Sequence, residues 1–582
     1  MLRLGLVFLL LSVLISCGGG GGGTPVGVIA VSPTSATVAL GGSQQFSATN
    51  NGLATSATWS VNGVQGGNST VGTIDANGQY TAPTNFPSPH TFAVTASASG
   101  GTGTANVTVA FPNDNHTAES APIKLGTSGG NATDFVDSGG TRTCCSGTLG
   151  ALVQRGGTFF ILSNNHVLDK SGAGSPGDNI QQPGLVDNQC DVAKAPPATI
   201  VANLSEAAAL KPSPCSGVCT GPAPSNVDAA IAAIVPGMVD LADNILDFGA
   251  ASSTSIAAAP PSATLAVPAN VLSANEGVAK SGRSTGLTCS SLSSVTTAIS
   301  VDYSSSCGGS KAFTSTFNNQ VVINGGSFSA MGDSGSLVVT SDTARPVGLL
   351  FAGNTTSTTA NPIQVVLNAM PGGPVTLIGG GDHSISCDPT ATASSATTTV
   401  GASSARLSTE ETARVTGAKE RNANHLLENA AISDVSVGAS ADNPEQGALV
   451  ITVREPTSVP ATIDGVRTRV IYSTQPSPRP SVADINHAAI INEAHIPSLM
   501  SQSGIQGVGV GVSDDNTAEP AMVIYVITGV QHPPIPAVIA GLRTKIVEGD
   551  RFRAFGWGKE AVKPACSLKP QSKVSTTAPK AK

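Results

Sequence analysis

Apolar residues in this chain come mostly in short alternating runs broken by Gly, Asn and Ser, a period-two pattern that predicts strands rather than helices. Between residues 25 and 112 the runs are Ile29-Ala30-Val31, Ala36-Thr37-Val38, Ala57-Thr58-Trp59-Ser60-Val61, Phe92-Ala93-Val94 and Val107-Thr108-Val109. They predict a β-sandwich of about seven strands with Trp59 in its core. A second strand-rich stretch, residues 117–374, predicts strands over 149–153, 159–163, 229–235, 320–324, 336–340 and 347–351. Few helical periodicities interrupt it, as expected of an antiparallel two-barrel domain.

Residues 375–408 are rich in Ser, Thr and Ala and read as a linker. An internal repeat follows. Residues 409–478 hold a helix candidate, then Ile432-Ser433-Asp434-Val435, Ala448-Leu449-Val450-Ile451 and Val466-Arg467-Thr468-Arg469. Residues 482–558 hold another, then Ile505-Gln506-Gly507-Val508, Ala521-Met522-Val523-Ile524 and Leu542-Arg543-Thr544-Lys545. Matching order and spacing predict two copies of a small α+β unit, trailed by a basic low-complexity tail over 559–582. The predicted fold class is therefore mainly β and multidomain: a sandwich, a two-barrel domain and two α+β repeats.

Length supports that division, because 582 residues exceed what one core organises. A net charge of -8 gives no general pull toward nucleic acid. Arg3, an apolar run over 4–15, Leu14-Ile15-Ser16-Cys17 and a glycine run over 18–23 read as an export address rather than folded structure. Leu-Ile-Ser-Cys resembles the bacterial lipobox. That resemblance implies that residues 1–24 are a lipoprotein signal and Gly tether, with Cys17 acylated as an anchor to a cell-envelope membrane. The alternative is an ordinary secretory signal with an incidental Cys17, and either reading exports the chain. In an oxidising compartment the remaining cysteines are disulfide candidates. The short loops they close make Cys215 with Cys219 and Cys289 with Cys307 the expected pairs. No histidine stands at zinc-ligand spacing from them, so neither metal nor cofactor is expected.

Three strings carry candidate chemistry. Gly332-Asp333-Ser334-Gly335 precedes the apolar run Ser336-Leu337-Val338-Val339. Phe159-Phe160-Ile161-Leu162-Ser163-Asn164-Asn165-His166 is a strand running into a histidine, the one histidine between His116 and His383. Ser225-Asn226-Val227-Asp228 leads into the apolar run 229–234. Acyl transfer needs a nucleophile, a base, a group that fixes the base's tautomer and donors for the oxyanion. In the order His, Asp, Ser, these strings resemble the motifs of the trypsin-like serine peptidases. The resemblance implies Ser334 as nucleophile, His166 as base, Asp228 as its orienter, and the N–H groups of Gly332 and Ser334 as the oxyanion hole. Asp191, Asp240, Asp243 and Asp302 compete for the role of Asp228.

Some positions depart from the family pattern. Asn164-Asn165 replace small residues, and Phe351 stands where the animal digestive enzymes carry Ser, in the string 346–353 that resembles their substrate-pairing strand. Phe328 stands at the base of the expected primary pocket, which is then not acidic. No Ile-Val-Gly-Gly-like start opens the domain, so Asp333 is expected either to have a partner other than a freed N-terminus or to be solvated. Residues 25–112 resemble bacterial Ig-like domains, and the repeats resemble small units that accompany trypsin-like domains in some bacterial and plant proteins. Together the resemblances imply a surface-tethered serine endopeptidase acting on protein or peptide substrates. The competing expectation is an adhesion or binding protein with a silent peptidase fold. Oligomeric state is left open.

Overall fold

A computed structural model describes residues 28–554, apart from 88, 139–140, 191–198, 214–226, 305, 306, 308, 388–406 and 474–475. The expected signal, Cys17, Cys215, Cys219 and the basic tail lie outside the described residues. The fold is mainly β, with 45% strand and 12% helix, and the chain divides into two compact units, 1–112 and 113–582.

In the first unit, three small sheets surround a core that includes Phe46, Trp59, Val61, Tyr80, Phe92 and Val107. The longest pairing, Thr91–Ala98 with Gly101–Ala110, alternates buried and open positions, so the period-two reading there finds its cause in one buried face. Pairings as short as two residues, such as Val64–Gln65, raise the strand number to twelve where about seven were expected.

The second unit begins with an eight-stranded sheet that runs from Gly147–Leu149 at one edge to Ala151–Arg155, backed by Thr376–Leu377, at the other. Only Gly150 separates those two strands in sequence, so the sheet curls round on itself. Its interior is filled by Leu149, Leu152, Ile161, Leu162, Ile180, Val201, Ile231 and their neighbours. A second sheet orders Gly277–Gly282, Leu337–Thr340, Pro346–Gly353, Ser357–Pro362, Lys311–Asn324 and Gly286–Ser304, and the last of these pairs back with the first. That closes a six-stranded barrel.

Disulfides join Cys144 to Cys190, Cys145 to Cys307 and Cys289 to Cys387. The expected Cys289–Cys307 pair is therefore wrong: the strand holding Cys289 faces the segment that returns after Thr376–Leu377, and each cysteine meets a distant partner. The linker expected from residue 375 also begins late. Residues 376–387 pack on the first barrel by strand pairing, bridge from Gly380 to Ser262, and are tied to the second barrel by the Cys387–Cys289 disulfide.

Each C-terminal repeat is one helix on a four-stranded sheet. The helices are Thr409–Leu427 and Val482–Met500, each started by a serine cap, Ser408 and Ser481. The second repeat does not stand apart: its Ile505–Val512 strand pairs with Gly286–Ser304 and extends the barrel sheet to ten strands.

The repeats clasp each other by a nearly reciprocal set of bonds. Ser440 Oγ and the Ala441 N–H donate to Asp515 at 2.6 Å each, while Ser513 Oγ and the Asp514 N–H donate to Asp442 at 2.5 and 2.6 Å. Arg467 donates to the carbonyl and hydroxyl of Thr544 at 2.9 Å each, and Arg543 donates to those of Thr468 at 2.7 and 3.1 Å. Burial, and then the charge of Asp515, push the Asp442 carboxyl up to about 7 from 3.8. A raised folded-state value means that the contribution to stability is complete below the unfolded value and lost as pH rises through about 7. Thermal unfolding of the full chain is therefore expected at lower temperature at pH ~8 than at pH ~5, and Asp442→Asn should flatten that slope. An unchanged slope in the variant would remove Asp442 as its source.

Candidate functional site

The site assembles where the two barrels meet. The Thr158–Ser163 strand pairs with Ala230–Ile234 in the register Ser163 to Ala230, which brings the residues just beyond each strand end, His166 and Asp228, side by side. His166 sits in a single helical turn, Asn165–Leu168. Its Nδ1 lies 2.6 Å from Asp228 Oδ2, and its own N–H donates to Asp228 Oδ1 at 3.2 Å. Both side chains are fully buried. With a carboxylate accepting at Nδ1, the proton is held there and Nε2 is left as the basic nitrogen.

The asparagines that depart from the family pattern are part of this arrangement. Asn164 Nδ2 donates to the Asp228 carbonyl at 2.7 Å, and Asn165 Nδ2 donates to the Ala208 carbonyl at 2.8 Å. From the second barrel, Asn361 Oδ1 accepts from the Asp228 N–H at 2.9 Å, and the Tyr303 hydroxyl donates to Asp228 Oδ2 at 2.6 Å. Burial and the charge of Asp228 push the Tyr303 phenol well up, keeping it a donor. Sequence reading missed Tyr303 and Asn361. Their signal was faint: a tyrosine in a Ser/Thr-rich run and an asparagine at a strand end.

The competitors for the role of Asp228 have other partners. Asp243 Oδ1 accepts the Leu152 N–H at 2.8 Å, Asp240 Oδ2 accepts from Asn244 at 2.7 Å, and Asp302 Oδ1 accepts from Thr314 at 2.7 Å. Asp191 lies outside the described residues.

Ser334 lies in the turn before the Leu337–Thr340 strand. Its carbonyl accepts from the Thr148 N–H at 2.8 Å. The turn packs tightly on the segment around His166: a Cβ on Gly335 would fall 2.2 Å from Ser163 Oγ, and one on Gly147 would meet both Val167 and the Ser334 carbonyl. Gly332 has φ +102°, a conformation that side chains resist, and a Cβ there would lie 2.4 Å from Ser284 Oγ. Its carbonyl is turned to the Thr148 hydroxyl at 2.9 Å.

Asp333 finds a partner within the barrel. Its carboxylate accepts from the N–H groups of Ser284, Thr285 and Ala330 and from the Thr285 hydroxyl, all within 3.1 Å. Lys280 Nζ lies 3.5 Å away, and both side chains are fully buried. Burial lowers the Lys280 ammonium against the opposing pull of Asp333. The cation that fixes the Ser334 turn is thus built into the Gly277–Gly282 strand.

Phe351 and Phe328 are both core residues. Phe351 packs with Phe317, Tyr303 and Phe552, and Phe328 with Val338, Val347 and Leu350. A cavity of about 180 Å³ reaches His166, lined also by Asp134, Phe135, Lys170, Ser304 and Cys307.

No protein-family model matches the sequence, and no curated protein does. A solved structure does. Protease A of Thermobifida fusca matches over 43% of this chain and 98% of its own, with 14% identity and a TM-score of 0.25. A similarity of that size carries no argument about this chain's chemistry, which is drawn from the site itself.

Two outcomes follow. Tyr303→Phe should lower the unfolding free energy by ~1.5–3 kcal/mol, the worth of a hydrogen bond to a charged group. In a double-mutant cycle with Asp228→Asn most of that loss should vanish, and additivity would deny the contact. Lys280→Met should cost about 3–5 kcal/mol by stranding a buried Asp333, with Asp333→Asn recovering part of it in urea unfolding.

Proposed function

We propose that the chain is a serine endopeptidase in which Ser334 attacks the substrate carbonyl and His166 accepts its proton. Asp228 holds the imidazole in the productive tautomer, and the N–H groups of Gly332 and Ser334 receive the oxyanion. Collapse of the tetrahedral adduct transfers the proton from His166 to the departing amine. Water then repeats the sequence on the acyl-enzyme and regenerates Ser334. The observation that carries the reading is the buried His166–Asp228 pair at 2.6 Å, held by Tyr303, Asn164 and Asn361, beside the constrained turn bearing Ser334. A buried carboxylate bonded to Nδ1 holds the imidazole in one orientation, as a general base requires.

The wider reading is an exported enzyme, tethered through Cys17 and spaced from the membrane by an Ig-like first unit. The repeats act as accessory modules to the peptidase domain. An apolar residue at Phe328 in place of an acid supports cleavage after small or apolar side chains rather than after Arg or Lys. A second reading, a binding protein with a silent peptidase fold, draws on one observation: Ser334 is only 3% exposed.

A fluorophosphonate probe tests the proposal. Labelling of folded protein is expected, abolished by Ser334→Ala and by His166→Ala, and Asp228→Asn should slow peptide hydrolysis by about 10⁴. Folded protein whose labelling is indifferent to Ser334 would overturn the enzymatic reading.

A further inference from the structure

The burial of Ser334 has a definite cause. Beyond its last strand, Leu542–Gly549, the second repeat sends residues 550–554 between the barrel strands Pro346–Gly353 and Gly286–Ser304. Arg553 exchanges both backbone bonds with Gly353, its N–H donating at 3.1 Å and its carbonyl accepting at 3.2 Å. On the other side the Asp302 N–H donates to the Phe552 carbonyl at 2.9 Å, and the Ala554 N–H donates to the Asp302 carbonyl at 3.2 Å. The segment is anchored upstream, where Asn354 and Gln506 both donate to the Asp550 carbonyl at 2.9 Å. Side chains alternate as in a strand: Arg551 and Arg553 are exposed, Phe552 and Ala554 buried. The Phe552 ring enters the cluster of Tyr303, Phe317, Phe351 and Tyr525, and the Ala554 carbonyl stands 3.5 Å from Ser334 Oγ.

We propose that Arg551–Ala554 is an intramolecular pseudosubstrate: it occupies the peptide-binding edge beside Ser334 and holds the enzyme closed until it is displaced. The proposal rests on the reading of Ser334 as nucleophile. Extended backbone paired antiparallel to Gly353 is the mode in which a peptide adds to a sheet edge, with main-chain bonds giving affinity and a pocket giving selectivity. The chain supplies its own peptide at the high effective concentration of a short tether, so few contacts suffice to keep a substrate out. The occupant also reports the substrate class: a peptide with an aromatic residue two positions before the small residue whose carbonyl faces Ser334.

Two full-chain variants test this. Arg553→Pro removes the N–H that meets Gly353. One glycine inserted between Asp550 and Arg551 deletes nothing but turns each side chain of the segment to the other face. A segment in place nine-tenths of the time slows an outside ligand about tenfold. Ser334-dependent fluorophosphonate labelling should therefore rise about tenfold or more in either variant that melts as the parent does. A synthetic Asp-Arg-Phe-Arg-Ala peptide added in excess should slow it again. Parental labelling rates in a folded variant would overturn the pseudosubstrate while leaving the peptidase reading intact. Absence of Ser334-dependent label in parent and variants alike would overturn both. A parent that shortens itself after Ala554 on incubation would make the segment a substrate and overturn its inhibitory role.

Discussion

The strand Gly286–Ser304 is the element on which the second unit depends. Its first half closes the six-stranded barrel by pairing with Gly277–Gly282, and its middle pairs with Ile505–Val512 and fuses the second repeat to the barrel. Near its end, Tyr303 reaches Asp228 and Asp302 pairs with the C-terminal segment. The fusion needs close approach: a Cβ on Gly509 would lie 2.2 Å from Thr297 Oγ1, and the Tyr525 hydroxyl sits among Ser293 and Ser294 at 3.1 and 2.7 Å. Small hydroxylated residues on one strand and glycines on the other let two sheets become one, with the hydroxyls of Ser294, Thr297 and Tyr525 bonded to one another.

Buried charge is used sparingly, and each instance fixes a geometry. Burying an ion is expensive unless it is paired and hydrogen-bonded, and its net worth for stability is small even then. What such groups supply is a single allowed arrangement. Asp228 accepts from the His166 N–H and from Tyr303 and lies against His166 Nδ1, so the imidazole plane is fixed. Asp333, with Lys280 behind it, ties the turn just before Ser334 to Ser284 and Thr285 and closes it on Ala330. Asp442 and Asp515 lock the repeats in one register.

The first unit was legible because its longest strands have one wet face. Gly101–Ala110 alternates in burial as it alternates in polarity, and the repeats betrayed themselves by a shared element order at similar spacing. The longest strand was not legible. In Ser290-Ser291-Leu292-Ser293-Ser294-Val295-Thr296-Thr297 no strand was expected; the polar residues there are covered by the second repeat, so polarity marks an interface rather than solvent. Disulfide pairing was hidden for a related reason: loop length favours near neighbours, whereas barrel closure brings Cys145 to Cys307 across 162 residues. At the candidate site, His166, Asp228 and Ser334 stood out by their place beside apolar strands. Tyr303 and Asn361 act from another barrel, and no local pattern connects them to Asp228.

Lys280 and the C-terminal segment bear on the same question, how access to such a site is governed. If the Ser334 turn needed a cation from elsewhere to take shape, control could act on that supply. Here the cation belongs to a barrel strand, is fully buried and is present as soon as the barrel closes. The turn is then organised from the outset, and little adjustable is left at Ser334 itself. What can still change is occupancy of the edge at Gly353, where the bound segment is held by a few backbone bonds and one aromatic ring at the end of the chain's described structure. A short segment beyond the last strand is far easier to release than a buried ion pair, since its contacts can open without unfolding either barrel. On the pseudosubstrate proposal control falls on the C-terminal end of the second repeat, and sheet fusion through Ile505–Val512 gives that repeat the fixed position from which Ala554 reaches Ser334.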